Sequence, residues 1–257
     1  MYHSISEPGT GPLSHLAVAP AVFERQLEAL SSLGYEFLGV EAALRAARTT
    51  PGRRIVALTF DDAYEDFLTN ALPVLQSLSA GATLYVPTGY LGQQADWLGP
   101  NAGRFGRLLT LEEVAEVARA GIEVGSHGHV HQPLDIVPTD ELKAQLITSR
   151  AVLAAALGGP PRSLCYPHGY SSRRVRDVAR AVGFRSGVAI GHRLHDIDRS
   201  PFAVQRIDLG STTHRGTIDR LLTAGPPQTR PRIKRAATPA WREVRRTART
   251  LAGRTLT

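Results

Sequence analysis

The chain has 257 residues, of which 42% are hydrophobic and 21% are charged. This composition is typical of a globular domain and excludes a disordered or collagen-like chain. The formal net charge is +7, but nine Lys/Arg and only one acidic residue lie from Arg230 onward. The rest of the chain is therefore close to neutral, and we expect no nucleic-acid partner for it.

The sequence predicts neither a disulfide nor a membrane span. Cys165 is the single cysteine of the chain, so no intramolecular disulfide is possible, which suits a reducing compartment. No apolar run approaches the roughly 20 residues that cross a bilayer. The opening residues lack the basic and apolar regions of a secretory signal, and we therefore expect a cytoplasmic protein.

Helix and strand patterns alternate along the chain. In chain order, the patterns predict helix 20–33, strand 54–60, helix 65–78, strand 82–87, helix 110–120, strand 122–126, helix 139–157, strand 163–166, helix 171–183 and strands 185–190 and 204–209. Repeated strand–helix units indicate a parallel sheet with helices outside it. We expect an α/β fold, an incomplete or distorted (β/α) barrel, whose chemistry lies at the carboxyl ends of the strands.

Acids and imidazoles follow three of these predicted strands. Asp61 and Asp62 follow the strand 54–60. Three histidines come after the strand 122–126, and a Pro-His-Gly segment comes after the strand 163–166. Because the carboxyl ends of parallel strands meet on one rim, we expect these side chains to converge there.

The adjacent carboxylates Asp61 and Asp62 have two interpretations. They could cap the following helix, which aspartate does well. Alternatively, one carboxylate binds a divalent cation while its neighbour, which points in another direction, acts on a bound water as a base. The nearby histidines favour the second interpretation.

His127, His129 and His131 fall within five residues of a chain that has nine histidines. They could be solvated loop residues, but imidazole is a good ligand for zinc and similar cations. Gly128 allows a turn after the strand, so that His127 and His131 can share an ion with Asp62; His129 is the alternative ligand. Such a site leaves coordination positions open for water, which is typical of hydrolases.

Thr59-Phe60-Asp61-Asp62 followed by Ser126-His127-Gly128-His129-Val130-His131 resembles the polysaccharide deacetylase family, also called the NodB-homology domain or carbohydrate esterase family 4. The resemblance covers roughly residues 1–210. It implies a distorted (β/α) barrel of the NodB-homology type and a metal-dependent enzyme that hydrolyses N-acetyl groups of sugars, oligosaccharides or glycolipids. Zinc is the first candidate for the metal, and cobalt, nickel and manganese are alternatives.

The resemblance also implies roles for individual residues. Asp61 corresponds to the general base, and Asp62, His127 and His131 correspond to the metal ligands. Tyr166, Pro167 and His168 resemble a segment that lines the substrate groove, where a backbone N–H near His168 would stabilise the oxyanion. This chain departs from the family pattern at Ala63, where glycine is usual, and at His168, where tyrosine is usual.

The resemblance also implies a candidate for the general acid. Tyr2-His3 resembles the opening of the poly-N-acetylglucosamine deacetylase branch, whose early histidine serves as the general acid, so His3 is the candidate. His192, His195 and His214 are the alternatives, because they lie in later segments where other branches carry their acid.

We expect a catalytic domain followed by a C-terminal tail. Residues 1–224 form the deacetylase domain, and residues 225–257 form a basic, Pro-rich tail. The tail is either a disordered extension or an amphipathic helix that contacts an anionic membrane surface. For the domain, the alternatives are a hydrolase of another non-peptide C–N amide bond and a non-catalytic binding module. The complete Asp-Asp-His-His set argues against the binding module.

Overall fold

The structure is a computed structural model that describes residues 1–224. The predictions for residues 225–257, including the amphipathic helix, lie outside the described residues. Within residues 1–224, no helix is both long enough and apolar enough to cross a membrane.

Strands and helices alternate as the sequence pattern predicts. The strands are β1 (Glu36–Leu38), β2 (Ile55–Ala57), β3 (Thr59–Phe60), β4 (Thr83–Val86), β5 (Glu123–Ser126), β6 (Ser163–Cys165), β7 (Ser186–Ile190) and β8 (Val204–Arg206). The α-helices are α1 (Pro20–Ser32), α2 (Val40–Thr49), α3 (Leu72–Ser77), α4 (Leu111–Arg119), α5 (Thr139–Leu157), α6 (Arg173–Val182) and α7 (Arg215–Ala224).

The main sheet is parallel and keeps the order of the chain. Strands β3 to β8 pair with their neighbours in the order β3-β4-β5-β6-β7-β8, and β1 pairs with β2 in a separate two-stranded parallel sheet. An unreversed strand order is typical of a barrel rather than of an open sheet with helices wound in two directions. The expected distorted (β/α) barrel is thus confirmed, as a curved half-barrel.

The predicted strand 54–60 is wrong as a single strand, because the chain changes sheet at Leu58. The Leu58 N–H donates to the Leu38 carbonyl at 3.2 Å, on the side of the small sheet. Its own carbonyl accepts from the Thr83 N–H at 2.9 Å, on the side of the main sheet. Two short strands, β2 and β3, therefore replace the one predicted from the apolar run.

The predicted helix 65–78 is also modified. It begins as a π-helical segment, Phe67–Ala71, and continues as α3. Pro73 lies at the start of α3. Because proline has no N–H to donate, the regular series of α-helical hydrogen bonds is interrupted at this point. The helices α2 and α7 were not predicted.

The first residues of the chain lie along the β3 edge of the main sheet. The Tyr2 N–H donates to the Thr59 carbonyl at 2.9 Å, and the Asp61 N–H donates to the Tyr2 carbonyl at 3.0 Å. The Tyr2 ring packs against Phe60 at 5.4 Å and against Phe23 at 5.1 Å between ring centroids. This buried aromatic packing fixes the position of residue 3 relative to Asp61.

Candidate active site

Two turns bring the predicted ligands to one rim of the sheet. Asp62 follows β3 with a φ of 72°, in the left-handed region. His127 directly follows β5, and its N–H donates to the Val86 carbonyl at 2.9 Å. Gly128 then turns the chain with a φ of 79°, a conformation that glycine adopts without steric strain. The turn carries His131 back over His127.

Asp62, His127 and His131 present one atom each to a common point. Asp62 Oδ1 lies 3.4 Å from the Nε2 atom of each histidine, and the two Nε2 atoms are 3.3 Å apart. The centre of this triangle lies about 2 Å from each corner, which is the bond length of zinc to imidazole nitrogen and carboxylate oxygen. The three side chains are buried.

The protonation of Asp62 and of His131 suits a cation. Burial alone would raise the pKa of Asp62, but the neighbouring imidazoles of His127, His131 and His3 lower it to about 2. Burial lowers the pKa of His131 well below its usual value. The carboxylate is therefore ionised and the His131 ring is neutral, which are the forms that bind metals.

The geometry thus fits a divalent cation rather than a set of hydrogen bonds. Asp62 Oδ1 is buried and has no hydrogen-bond partner within residues 1–224, and a buried unpaired carboxylate oxygen is costly unless a cation compensates it. One oxygen and two imidazole nitrogens form a donor set suited to zinc and its first-row neighbours.

Asp61 lies beside this triangle and is held by a buried arginine. Arg206 Nη1 donates to Asp61 Oδ1 at 2.6 Å, and Arg206 Nη2 donates to Asp61 Oδ2 at 2.8 Å. The Cys165 thiol donates to Asp61 Oδ2 at 3.4 Å. Burial raises the pKa of Asp61, but the charge and hydrogen bonds of Arg206 outweigh this effect and hold the pKa below its usual value. Asp61 is therefore an ionised carboxylate that can accept a proton.

Arg206 was missed in the sequence. It lies at the end of β8, 145 residues from Asp61, and a single arginine near a strand end has no distinctive spacing. The available signal was its position within the predicted strand 204–209, where an arginine on the same face as Val204 needs a buried partner.

His3 lies near both carboxylates. Burial raises the pKa of Asp61 and of Asp62, and His3 is among the neighbouring charges that lower it in each case. The three histidines that are alternative general acids interact with other residues. His192 lies 3.8 Å from Asp208, His195 interacts electrostatically with Asp196 and nearby arginines, and His214 contacts Thr217.

His129, the alternative ligand, points away from the triangle. Its Nδ1 lies 2.9 Å from Thr88 Oγ1, and its carbonyl accepts from the Gly89 N–H at 2.8 Å. These bonds tie the histidine segment to the loop after β4.

Of the three residues from Tyr166 to His168, only His168 has its side chain next to the candidate site. The Tyr166 ring is fully buried, and its hydroxyl donates to the Phe202 carbonyl at 3.0 Å. Its side chain therefore stabilises the core and cannot line a groove. Pro167 is buried as well, whereas the partly exposed His168 ring lies 4.7 Å from that of His131. His168 has a φ of 57°.

Ala63, where the family usually has glycine, adopts a φ of 58°. This left-handed conformation explains the preference for glycine, since a Cβ atom is strained there by about 1–2 kcal/mol. The Ala63 carbonyl accepts from the Leu109 N–H at 2.9 Å, and the ligand geometry is formed despite the substitution.

A profile of the family described as "Polysaccharide deacetylase" matches residues 48–187. The matched segment contains all three residues of the triangle and Asp61. The chain belongs to the polysaccharide deacetylase family. This membership makes it a carbohydrate deacetylase by class, a hydrolase with the NodB-homology fold.

Relatives within the polysaccharide deacetylase family cover most of the chain. YxkH of Bacillus subtilis, named as a polysaccharide deacetylase, is 26% identical over 209 residues, which is 80% of this chain and 69% of that protein. The poly-beta-1,6-N-acetyl-D-glucosamine N-deacetylase of Staphylococcus aureus is 22% identical over 220 residues, which is 81% of this chain and 73% of that protein.

Two solved structures have the same fold as this chain. The Streptococcus pyogenes deacetylase PplD, solved in complex with acetate, superposes with a TM-score of 0.72 at 26% identity, over 88% of this chain and 96% of PplD. IcaB from Ammonifex degensii superposes with a TM-score of 0.69 at 23% identity, over 84% of this chain and 92% of IcaB. The second comparison supports the fold alone.

Proposed function

We propose that this chain is a metal-dependent N-deacetylase that hydrolyses the N-acetyl group of an N-acetylated carbohydrate to acetate and a free amine. The observation that carries the proposal is the triangle of Asp62 Oδ1 and the Nε2 atoms of His127 and His131, with sides of 3.3–3.4 Å. An ionised second carboxylate, Asp61, lies next to it. This combination is typical of sites that activate water for attack on a carbonyl.

Asp62, His127 and His131 are the proposed ligands of a divalent cation, and zinc is the first candidate because of the donor set. When bound, such a cation supplies Lewis-acid polarisation of the acetyl carbonyl and a lowered pKa of water. The His127 Nδ1 atom lies 3.0 Å from the Cys165 carbonyl. With its proton on Nδ1, His127 presents the Nε2 lone pair to the centre of the triangle.

We assign the two proton transfers of the reaction to two different residues. Asp61 Oδ atoms accept the proton of the attacking water, and Arg206 keeps that carboxylate ionised and oriented. His3 donates a proton to the amine nitrogen as it leaves. A backbone N–H in the turn at 166–169 is the proposed donor to the oxyanion. Together these groups account for both protons that amide hydrolysis moves.

The proposed substrate is an oligosaccharide or polymer that contains N-acetylglucosamine. The support is family membership together with the name of the Staphylococcus aureus relative, a poly-beta-1,6-N-acetyl-D-glucosamine N-deacetylase. A hydrolase of another non-peptide C–N amide is the alternative. It is motivated by His168, which replaces the tyrosine expected in this position and whose ring lies 4.7 Å from that of His131.

Acetate release from β-1,6- and β-1,4-linked N-acetylglucosamine oligomers, and from simple non-sugar amides, tests the proposal. We expect activity on a sugar oligomer that a chelator abolishes and added Zn²⁺, Co²⁺, Ni²⁺ or Mn²⁺ restores. Activity that survives chelation, or that is confined to non-sugar amides, contradicts the proposal.

Three variants separate the assigned roles. Asp61→Asn should lose turnover while retaining bound metal, and His127→Ala should lose both. His129→Ala is the matched control, because this histidine lies in the same segment but contacts Thr88 instead of the triangle. Its activity should stay close to that of the wild type.

A further inference from the structure

The two candidate histidine ligands are oriented in different ways. His127 has a hydrogen-bond partner for its second ring nitrogen, since Nδ1 lies 3.0 Å from the Cys165 carbonyl. His131 Nδ1 is buried and has no hydrogen-bond partner within residues 1–224. Metal-binding histidines almost always use this second nitrogen to fix the ring, and the loss of that partner weakens metal binding. Another contact must therefore fix the His131 ring.

Aromatic rings surround the His131 imidazole. The indole of Trp97 stacks on it, with centroids 4.3 Å apart and an interplanar angle of 29°. The rings of His127 and His168 meet it edge-on, each at 4.7 Å, with angles of 71° and 65°. The stack fixes the plane of the imidazole, and the edge contacts restrict rotation within that plane.

Trp97 lies in the loop between β4 and α4, and contacts with other residues of that loop fix its position. The Tyr90 ring meets the indole edge-on at 4.9 Å. The two arms of the loop are joined by hydrogen bonds from the Leu108 N–H to the Gln93 carbonyl, at 2.8 Å, and from the Gly92 N–H to the Leu109 carbonyl, at 3.1 Å. The indole also packs against a separate hydrophobic cluster formed by Ala17, Tyr64, Ala95, Phe105 and Leu108. The position of Trp97 is therefore determined independently of the ligands.

We infer that Trp97 is a positioning residue for His131, and that its stacked indole takes the place of the hydrogen bond that orients the other histidine ligand. The inference rests on the proposed function, because it concerns the affinity for the proposed cation. Its consequence is that an apolar residue outside the ligand set controls how tightly the ion is held. Trp97 would have a different role if it served only as a stacking platform for a sugar ring, in which case it would affect KM but not metal affinity.

Metal affinity of the full-length chain distinguishes these roles. Competition of the metal-free protein with a chromophoric chelator for Zn²⁺ gives the dissociation constant of each variant. We expect Trp97→Ala to bind Zn²⁺ about 10-fold or more weakly and Trp97→Phe, which keeps a stacking ring, to recover most of the affinity. Leu98→Ala is the matched control, since this neighbouring residue packs in the same cluster and should leave the affinity unchanged.

A spectroscopic measurement keeps the inference testable if Trp97→Ala fails to fold. The chain has two tryptophans, so Trp241→Phe leaves Trp97 as the single indole. Titration of this protein with Co²⁺ should quench the Trp97 emission and saturate in parallel with metal binding, because the indole stacks directly on a ligand.

The outcomes separate this inference from the proposed function. If wild type and Trp97→Ala bind Zn²⁺ equally tightly, or if Co²⁺ binds without quenching Trp97, the inference is overturned while the proposed function stands. If the wild type binds no Zn²⁺ at all, both are overturned.

Discussion

Asp61 and Arg206 form a buried, two-point ion pair, with N–O distances of 2.6 and 2.8 Å, although 145 residues separate them in the chain. A guanidinium matches a carboxylate in this planar geometry, which holds both the charge and the orientation of the acid. The pair connects the first and the last strand of the main sheet through the site itself. It therefore contributes both to the proposed chemistry and to the stability of the half-barrel.

Removal of Arg206 should affect activity and stability together. Arg206→Met leaves Asp61 as an unpaired buried charge, and we expect the free energy of unfolding to fall by about 3–5 kcal/mol and acetate release to be lost. The double variant Asp61→Asn/Arg206→Met should recover part of the stability but no activity. Urea unfolding and the acetate assay measure the two effects. Arg173→Met, whose side chain is 92% exposed, is the control; equal losses in both arginine variants would refute the role of the pair.

His3 should be needed for turnover but not for metal binding. His3→Ala removes the proposed proton donor, and general-acid catalysis contributes about 10²–10⁴-fold to a rate, so kcat should fall by a factor in that range. Zn²⁺ affinity should be unchanged. His192→Ala, His195→Ala and His214→Ala serve as comparisons, and a comparable loss of kcat in one of them, with His3→Ala fully active, would assign the acid to that residue instead.

Much of the fold and part of the site follow from the sequence. The alternation of strands and helices predicted the parallel half-barrel, because parallel strands need a crossover for each pair. The same logic placed Asp62, His127 and His131 on one rim. The break at Leu58 was not predictable, since an apolar run does not show where its hydrogen-bond partner changes from one sheet to the other.

The surroundings of the ligands were harder to predict. Arg206 and Trp97 reach the site from a distant strand and from a long loop, and neither shows a characteristic spacing to the residues that it contacts. The burial of Tyr166 depends on the space left by Gly187, whose added Cβ would lie 2.1 Å from the tyrosine hydroxyl. Such complementarity is a property of packing rather than of local pattern.

Glu123 should make the protein less stable as the pH rises. Burial is the main cause that raises its pKa to about 7, and the charge of Glu41 adds to the effect. Because the folded state binds this proton more tightly than the unfolded state, stability from this group is highest below about pH 4.5 and decreases as the pH rises to about 7.

The matching experiment compares Glu123→Gln with the wild type. The variant should be more stable at pH 8, by about 3 kcal/mol, and its advantage should vanish near pH 4. Chemical denaturation at a series of pH values measures this difference. Glu112→Gln, at an exposed position of α4, should follow the wild type; a pH-independent difference for Glu123→Gln would rule out the titration.

Cys165 should be unreactive in the folded protein. Its side chain is fully buried, burial raises the pKa of its thiol, and the thiolate is the reactive form. As the only cysteine of the chain, it reports all labelling by a thiol reagent. We expect slow labelling of the native protein and rapid labelling in denaturant, whereas rapid labelling in native buffer would show that the site is open to solvent near Asp61.

The central claim is that Asp62, His127 and His131 together hold one divalent ion. Equilibrium dialysis of the metal-free chain against Zn²⁺, followed by elemental analysis, tests it most directly. We predict one tightly bound ion per chain for the wild type and for His129→Ala, and none at the same free Zn²⁺ concentration for Asp62→Ala or His131→Ala. Stoichiometric binding that persists in Asp62→Ala and in His131→Ala would contradict the account.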